Sequence, residues 1–173
     1  VVFLNMISYL RGKLAFKAPM QAVIEVGGVG YGISISLVTY DQLPILGEEV
    51  LLFTHMHVRE DRMELFAFVD EGEREVFEML IGVSGIGPSL ALTILSGMSL
   101  RDLQEAIVHE RVSELTGIKG IGKRTAERLV LDLRDKVSLS ADISESETQD
   151  ETGSVTSEEA AMALKALGMT PSE

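Results

Sequence analysis

Apolar and polar positions keep a period of two through the first seventy or so residues, then change to helical spacing. Ala22-Val23-Ile24-Glu25-Val26 is rich in β-branched residues, and Tyr31, Ile33, Ile35 and Leu37 alternate with Gly32, Ser34 and Ser36. This predicts strands over 22–26 and 31–37, joined as a hairpin by a turn at Gly27-Gly28-Val29-Gly30. Val50–Val58 and Glu64–Val69 read as further strands. Five short strands in about seventy residues, with glycines where strands must bend, predict a small closed or partly open barrel.

After Asp70 the pattern is helical. Val76, Phe77, Leu80 and Ile81 share one face, and Ser99 with Asp102 three residues on is an N-cap signal ahead of Leu103, Ile107 and Val108. Ala126, Leu129, Val130 and Leu133 mark the last helix of this segment. Residues 138–156 are rich in Ser, Thr, Asp and Glu and predict a flexible acidic linker, because they cannot bury enough apolar surface to offset their ordering entropy. Ser157-Glu158-Glu159 then caps a short helix through Ala160–Leu167, stopped by Gly168 and Pro171. One such helix cannot make a domain alone; it docks on something or opens a third module.

Composition narrows the function classes. With 46% apolar residues the chain can bury a core, and no apolar run approaches the roughly 18 residues of a membrane span. The absence of cysteine excludes a disulfide framework and thiolate metal sites. The N-terminal Val1-Val2-Phe3-Leu4-Asn5 lacks the basic region and cleavage site of a signal peptide; Met6 is a second candidate start and residues 1–5 an extension. The net charge of −12 argues at first against nucleic acid. Its distribution reverses that, because residues 138–173 hold one basic and eight acidic side chains while residues 71–137 hold nine and eleven. Binding follows the local field, and the middle segment carries most of the Lys and Arg.

That segment contains a repeat. Leu80-Ile-Gly-Val-Ser84-Gly85-Ile86-Gly87-Pro88-Ser89-Leu-Ala91 matches Leu115-Thr-Gly-Ile-Lys119-Gly120-Ile121-Gly122-Lys123-Arg124-Thr-Ala126 at an offset of 35 residues. Gly-Ile-Gly joins two helices too tightly for side chains at its outer positions, and the central Ile turns inward to pin them together. The second helix starts at once, so its unpaired N–H groups and its dipole face outward as an anion site suited to a DNA phosphate. Lys119, Lys123 and Arg124 would add charge at the second turn, whereas the first has Ser84 and Ser89, no basic residue nearby, and is expected to hold phosphate more weakly. A bare helical corner is the alternative for one copy; two matched copies make it a poor one.

Three other patterns lead elsewhere. Gly117 to Arg124 approaches a phosphate-binding P-loop, but Arg124 stands where Ser or Thr should hold Mg²⁺ and no strand precedes it. Gly28-Val-Gly30-Tyr-Gly32 resembles a dinucleotide fingerprint but lies between strands. His55 and His57 share a strand face without an evident third metal ligand, so no metal site is expected.

Taken together, Thr54-His-Met-His-Val-Arg-Glu60-Asp61, the tandem Gly-Ile-Gly turns, Leu95-Ser-Gly-Met98 and Lys123-Arg-Thr-Ala-Glu-Arg-Leu129 resemble the RuvA family of bacterial Holliday-junction-binding subunits, from Met6 to about Gly168. The resemblance implies an OB-fold barrel over 1–69, an all-α tandem helix-hairpin-helix domain over 70–137, an acidic linker over 138–156, and the first helix of a three-helix, UBA-like domain over 157–173. It implies a homotetramer, one or two per four-way junction, that holds the junction open and square-planar. No catalytic residue and no intrinsic cofactor are expected; ATP and Mg²⁺ belong to the partner ATPase, the RuvB hexamer, and the RuvC resolvase is a further expected partner. Glu60 and Asp61 match the acidic pin at the junction centre, with Arg59 beside it a candidate DNA contact. Gly85, Gly87, Ser84, Ser89, Gly120, Gly122, Lys119, Lys123 and Arg124 are the expected phosphate-binding residues. Ala160, Leu164 and Leu167 are the expected RuvB-facing positions. Only one of the three C-terminal helices is expected here, so the RuvB contact would be incomplete while junction binding would be unaffected. The expected location is the bacterial cytoplasm.

Two carboxylates on a turn repel a phosphate, by about 1 kcal/mol per pair at 4 Å in water and several times more near a protein surface. The alternatives for Glu60-Asp61 are a plain polar turn or, with Glu64, a Mg²⁺ site. Rivals for the whole chain are a general helix-hairpin-helix DNA-binding module, a glycosylase using Asp132, and a protein scaffold. Leu100, Leu103 and Ile107 are candidates for either a subunit interface or the core.

Overall fold

The computed structural model describes residues 6–147. Residues up to Val137 form one compact unit and a second begins at Ser138. Five strands, β1 (Tyr9–Ala18), β2 (Gln21–Val26), β3 (Val29–Ser34), β4 (Glu49–Val58) and β5 (Met63–Phe68), close into a barrel in the order β1-β2-β3-β5-β4. A helix, α1 (Leu37–Gln42), bridges β3 and β4. Then follow α2 (Glu71–Ile81), α3 (Pro88–Gly97), α4 (Leu100–Val108), α5 (Val112–Thr116) and α6 (Lys123–Glu147).

Closure depends on β1, which pairs with β4 from Tyr9↔Phe53 to Lys13↔Glu49 and with β2 from Lys13↔Glu25 to Ala18↔Gln21. A register shift between Leu14 and Phe16 lets one strand turn between two partners. Gly12 sits at that corner, where a Cβ would collide with the Glu25 carbonyl. The β2–β3 hairpin turns on Gly27 and Gly28 alone, at φ +57° and +85°, the two positive values that a twist-matched two-residue turn requires.

Several sequence expectations change here. The strand expected over 31–37 ends at Ser34, because Ser36 caps α1 by accepting from the Thr39 N–H (2.9 Å). The alternation continues past the strand only because Ile35 is also buried. Residues 138–147, expected as the start of a linker, are helical instead, since α6 runs to Glu147. No Gly or Pro interrupts 123–147, and a helix nucleated by the packed Ala126–Leu133 stretch extends at little cost. Leu103 and Ile107 are fully buried core and Leu100 packs against that core, so this trio is not a free interface. Residues 1–5, the rest of the expected linker, and the expected C-terminal helix with Ala160, Leu164 and Leu167 lie outside the described residues.

The barrel and the helices share packing. Leu65 and Ala67 of β5 face the barrel core, while Phe66 and Phe68 face the helical one, with their rings 5.1 and 5.0 Å from that of Phe77. Beside them, Glu73 of α2 is buried and accepts hydrogen bonds from Ser36 Oγ (2.5 Å) and Thr39 Oγ1 (2.8 Å) of the α1 region. Burial pushes the Glu73 carboxyl up from its ordinary range; the two hydroxyls pull it partly back, and Asp70 adds to the rise.

A carboxyl whose folded pKa is raised favours the protonated state, so its contribution is complete below the unfolded pKa and is lost as pH rises through the folded value. Glu73→Gln should therefore gain stability relative to the parent as pH rises from about 4.5 towards neutrality, read by denaturant unfolding. Glu73→Ala should cost about 1–3 kcal/mol near pH 4.5, where it removes a neutral partner from two buried hydroxyls.

Candidate nucleic-acid interface

The repeat folds as two matching corners. α2 ends at Gly82 and α5 at Gly117, both right-handed. Each corner then makes the same backbone bonds: Val83 N–H to Leu80 O (3.0 Å) and Ile86 N–H to Val83 O (3.0 Å) in the first, Ile118 N–H to Leu115 O (3.2 Å) and Ile121 N–H to Ile118 O (3.1 Å) in the second. Gly85 and Gly120 take φ of +94° and +92°, outside what an L side chain adopts without strain. Ile86 and Ile121 are buried in the helical core, as expected of the pinning residue.

The following helix starts bare. The first amides bonded within α3 and α6 are those of Ala91 to Gly87 O and Ala126 to Gly122 O, both 3.0 Å. The amides before them have no intrahelical acceptor, and Gly87 offers no side-chain cap. Ser84, Gly85 and Ser89 are exposed and Gly87 is half-buried; Gly120, Gly122, Lys119, Lys123 and Arg124 are all exposed. Both corners thus present N–H groups and a positive dipole end to solvent, the second with three cations. Lys123 is 3.9 Å from Glu127 at exposed positions, a contact that water screens readily.

The first corner is less neutral than its sequence implies. Arg128, on α6, places Nη1 3.1 Å from Ser84 Oγ and 3.4 Å from Ser84 O. The expectation of no basic residue near that turn is corrected: the cation comes from 44 residues downstream, across the packed hairpins. Gly120 itself abuts the first hairpin, since a Cβ there would lie 3.1 Å from Leu90 Cδ1.

The acidic turn caps the long β4–β5 hairpin. Arg59 N–H bonds Arg62 O (2.9 Å), leaving Glu60 and Asp61 exposed at the tip. The tip lies five residues beyond His55, a reach of roughly 17 Å along extended chain. Arg62, which no motif in the sequence singles out, places Nη2 and Nε each 3.3 Å from Asp61 Oδ2. Among the described residues Glu60 has no ion pair, so it is the less compensated of the two carboxylates. His55 Nδ1 lies 3.0 Å from Glu78 Oε1, and His57 Nε2 accepts from Arg59 Nε (3.0 Å). Among the described residues no three His, Cys, Asp or Glu side chains gather as a metal site. Asp132 is exposed on α6, and among the described residues no helix is long and apolar enough to cross a membrane.

Residues 6–67 match the family model described as RuvA N terminal domain, and residues 77–135 match SAM-like Helix-hairpin-helix tandem. A Holliday junction branch migration complex subunit RuvA from Desulforamulus reducens is 44% identical over 171 residues, 97% of this chain and 84% of that protein. The chain belongs to the RuvA family. Proteins of the same name from Chlorobium phaeobacteroides and Methylibium petroleiphilum are 53% and 49% identical over 76% and 80% of this chain. The match spans 66% of the length of the Chlorobium protein and 71% of that from Methylibium. The barrel and the paired hairpins are thus the family's N-terminal and helix-hairpin-helix parts.

The two turn glycines separate strain from crowding. Gly85→Ala meets open space and should cost about 1–2 kcal/mol from the backbone alone. Gly120→Ala must also displace Leu90, so it should lose more in a thermal or denaturant melt.

Proposed function

We propose that this chain binds four-way DNA junctions as a homotetramer and holds them open for branch migration by a partner ATPase. The matching corners carry this reading: two anion-facing helix starts, 35 residues apart in sequence and built on the same backbone bonds, next to a barrel with a projecting acidic hairpin. The names of its relatives support it.

The corners grip without reading sequence. A phosphate oxygen accepts from the free amides of one helix start, and Lys119, Lys123, Arg124 and Arg128 add charge–phosphate attraction. Paired corners suit successive phosphates along a duplex arm. The acidic turn works in the opposite sense: around a fourfold centre, four copies of Glu60-Asp61 would hold strands apart and turn them outward. The chain supplies geometry and electrostatics. ATP and Mg²⁺ are used by the partner, the RuvB hexamer, reached through the C-terminal region; RuvC would cut the junction so held. A bacterial cytoplasmic setting follows from these partners.

One observation favours a second reading. Arg59 and Arg62 match Glu60 and Asp61 in number, and Arg62 pairs with Asp61, which softens the turn's repulsion and suits a general DNA-binding module.

A gel-shift titration with a four-way junction, competed by linear duplex of the same sequences and length, separates the two. Retention of the junction against a large excess of duplex is expected; equal competition would leave only the general module. Glu60→Gln with Asp61→Asn should keep or tighten junction binding while altering branch migration, and Glu60→Gln alone should do more than Asp61→Asn alone. Clear loss of binding would sink the pin. Arg128→Ala should weaken binding and lower the slope of log affinity against log salt by about one, as should Lys123→Ala or Arg124→Ala. An unchanged slope for Arg128→Ala would remove it from the phosphate contacts.

A further inference from the structure

We propose that His57 is a positioning residue that aims the Arg59 guanidinium at junction phosphate by accepting its Nε–H on a neutral ring nitrogen. The inference rests on the junction-binding reading above.

The odd-numbered face of β4 shows how the contact arises. Phe53 lies under Arg74, with the guanidinium carbon 5.9 Å from the ring centroid, and His55 meets Phe77 and Glu78; all three partners lie on α2. His57 continues the same face towards the hairpin tip. There the strand ends at Val58, and the Arg59 backbone is fixed by its bond to Arg62. The Arg59 side chain folds back along that face and donates Nε–H to His57 Nε2 at 3.0 Å. Among the described residues no carboxylate pairs with Arg59, so its terminal nitrogens remain free to fork a phosphate. A long flexible arginine loses rotamer freedom on binding, and a side chain already held by its Nε loses less.

The acceptor requirement makes the device sensitive to pH. An imidazolium has two N–H donors and cannot accept from a guanidinium. The groups around the ring are His55 on its own strand, Arg59 just past the strand's end, Glu64 opposite it on β5, and Glu78 of α2, which reaches it through His55; the Phe66 ring stands edge-on at 6.5 Å. Burial, then Arg59 and then His55, holds the His57 pKa below its ordinary value against the pull of Glu64, which keeps the acceptor available at neutral pH.

The test is a double-mutant cycle on the full chain, reading junction dissociation constants at constant ionic strength at pH 8 and at a pH below the His57 titration midpoint, located by NMR of its imidazole. At pH 8, His57→Phe should weaken binding about threefold, the range expected for freeing one side chain. The same change in an Arg59→Ala background should do little, and His57→Gln, whose Oε1 can accept where Nε2 did, should restore most of the loss. Below that midpoint the coupling between positions 57 and 59 should vanish or reverse sign. Equal His57→Phe losses with and without Arg59, or a coupling unchanged by pH, would overturn the proposal while junction binding stands. A parent chain that shows no preference for junction over duplex would overturn the reading beneath it instead.

Discussion

The reversal between two helices within a Gly-Ile-Gly corner is the constraint on which the candidate interface depends. At φ near +90°, Gly85 and Gly120 send the chain back before any capping side chain can intervene. The next helix therefore begins with open amides, preceded in each corner by a glycine. The same geometry that packs Ile86 and Ile121 into the core leaves the amide ends facing water. On the proposed reading, folding and phosphate binding would draw on one backbone feature, so a side chain at either glycine would strain the fold and crowd the surface offered to DNA.

The two corners are alike in backbone and unlike in charge. Ser84, Pro88 and Ser89 occupy the places of Lys119, Lys123 and Arg124. Arg128 reduces that difference by reaching from α6 to Ser84. Since Gly120 abuts Leu90 of the first hairpin, the corners are held against each other and one cation can lie near the first while belonging to the second. Tight packing between the repeats sets the spacing of the corners, and on the proposed reading that rigid spacing would serve recognition of a regular phosphate backbone.

Much of this was legible in the sequence, and the exceptions have physical causes. The helical faces at Val76–Ile81 and Ala126–Leu133, the Ser99 cap and both corners follow from local spacing, which the structure keeps because each face buries against one core. β1 carries a weak strand pattern because its inward positions Leu10, Gly12 and Leu14 include a glycine, and the register shift before Phe16 breaks the alternation. α1 was hidden because Ile35 and Leu37 extend the strand's alternation past a cap whose second bond, to Glu73, lies 37 residues away. Arg128 on Ser84 and Arg59 on His57 show the same divide. A run of cations on α6 can be read from the sequence, but which turn one of them approaches is a matter of tertiary packing. The candidate phosphate residues were therefore legible as a group and their partners were not.

The charge of the chain shows why location outweighs sum. An acidic protein can attract DNA when its excess of carboxylates lies elsewhere in the chain and its cations stand beside open amides. Within the hairpin tip the same principle operates over four residues. Arg62 shields Asp61, while Arg59 is drawn back towards His57 and Glu60 is left exposed. Four residues with no net charge thus form a dipolar tip, which on the proposed reading would repel phosphate at one side chain and attract it at the next. A surface of that kind would distinguish a place where strands part from a continuous duplex, because only a parting backbone can satisfy the attraction and avoid the repulsion together.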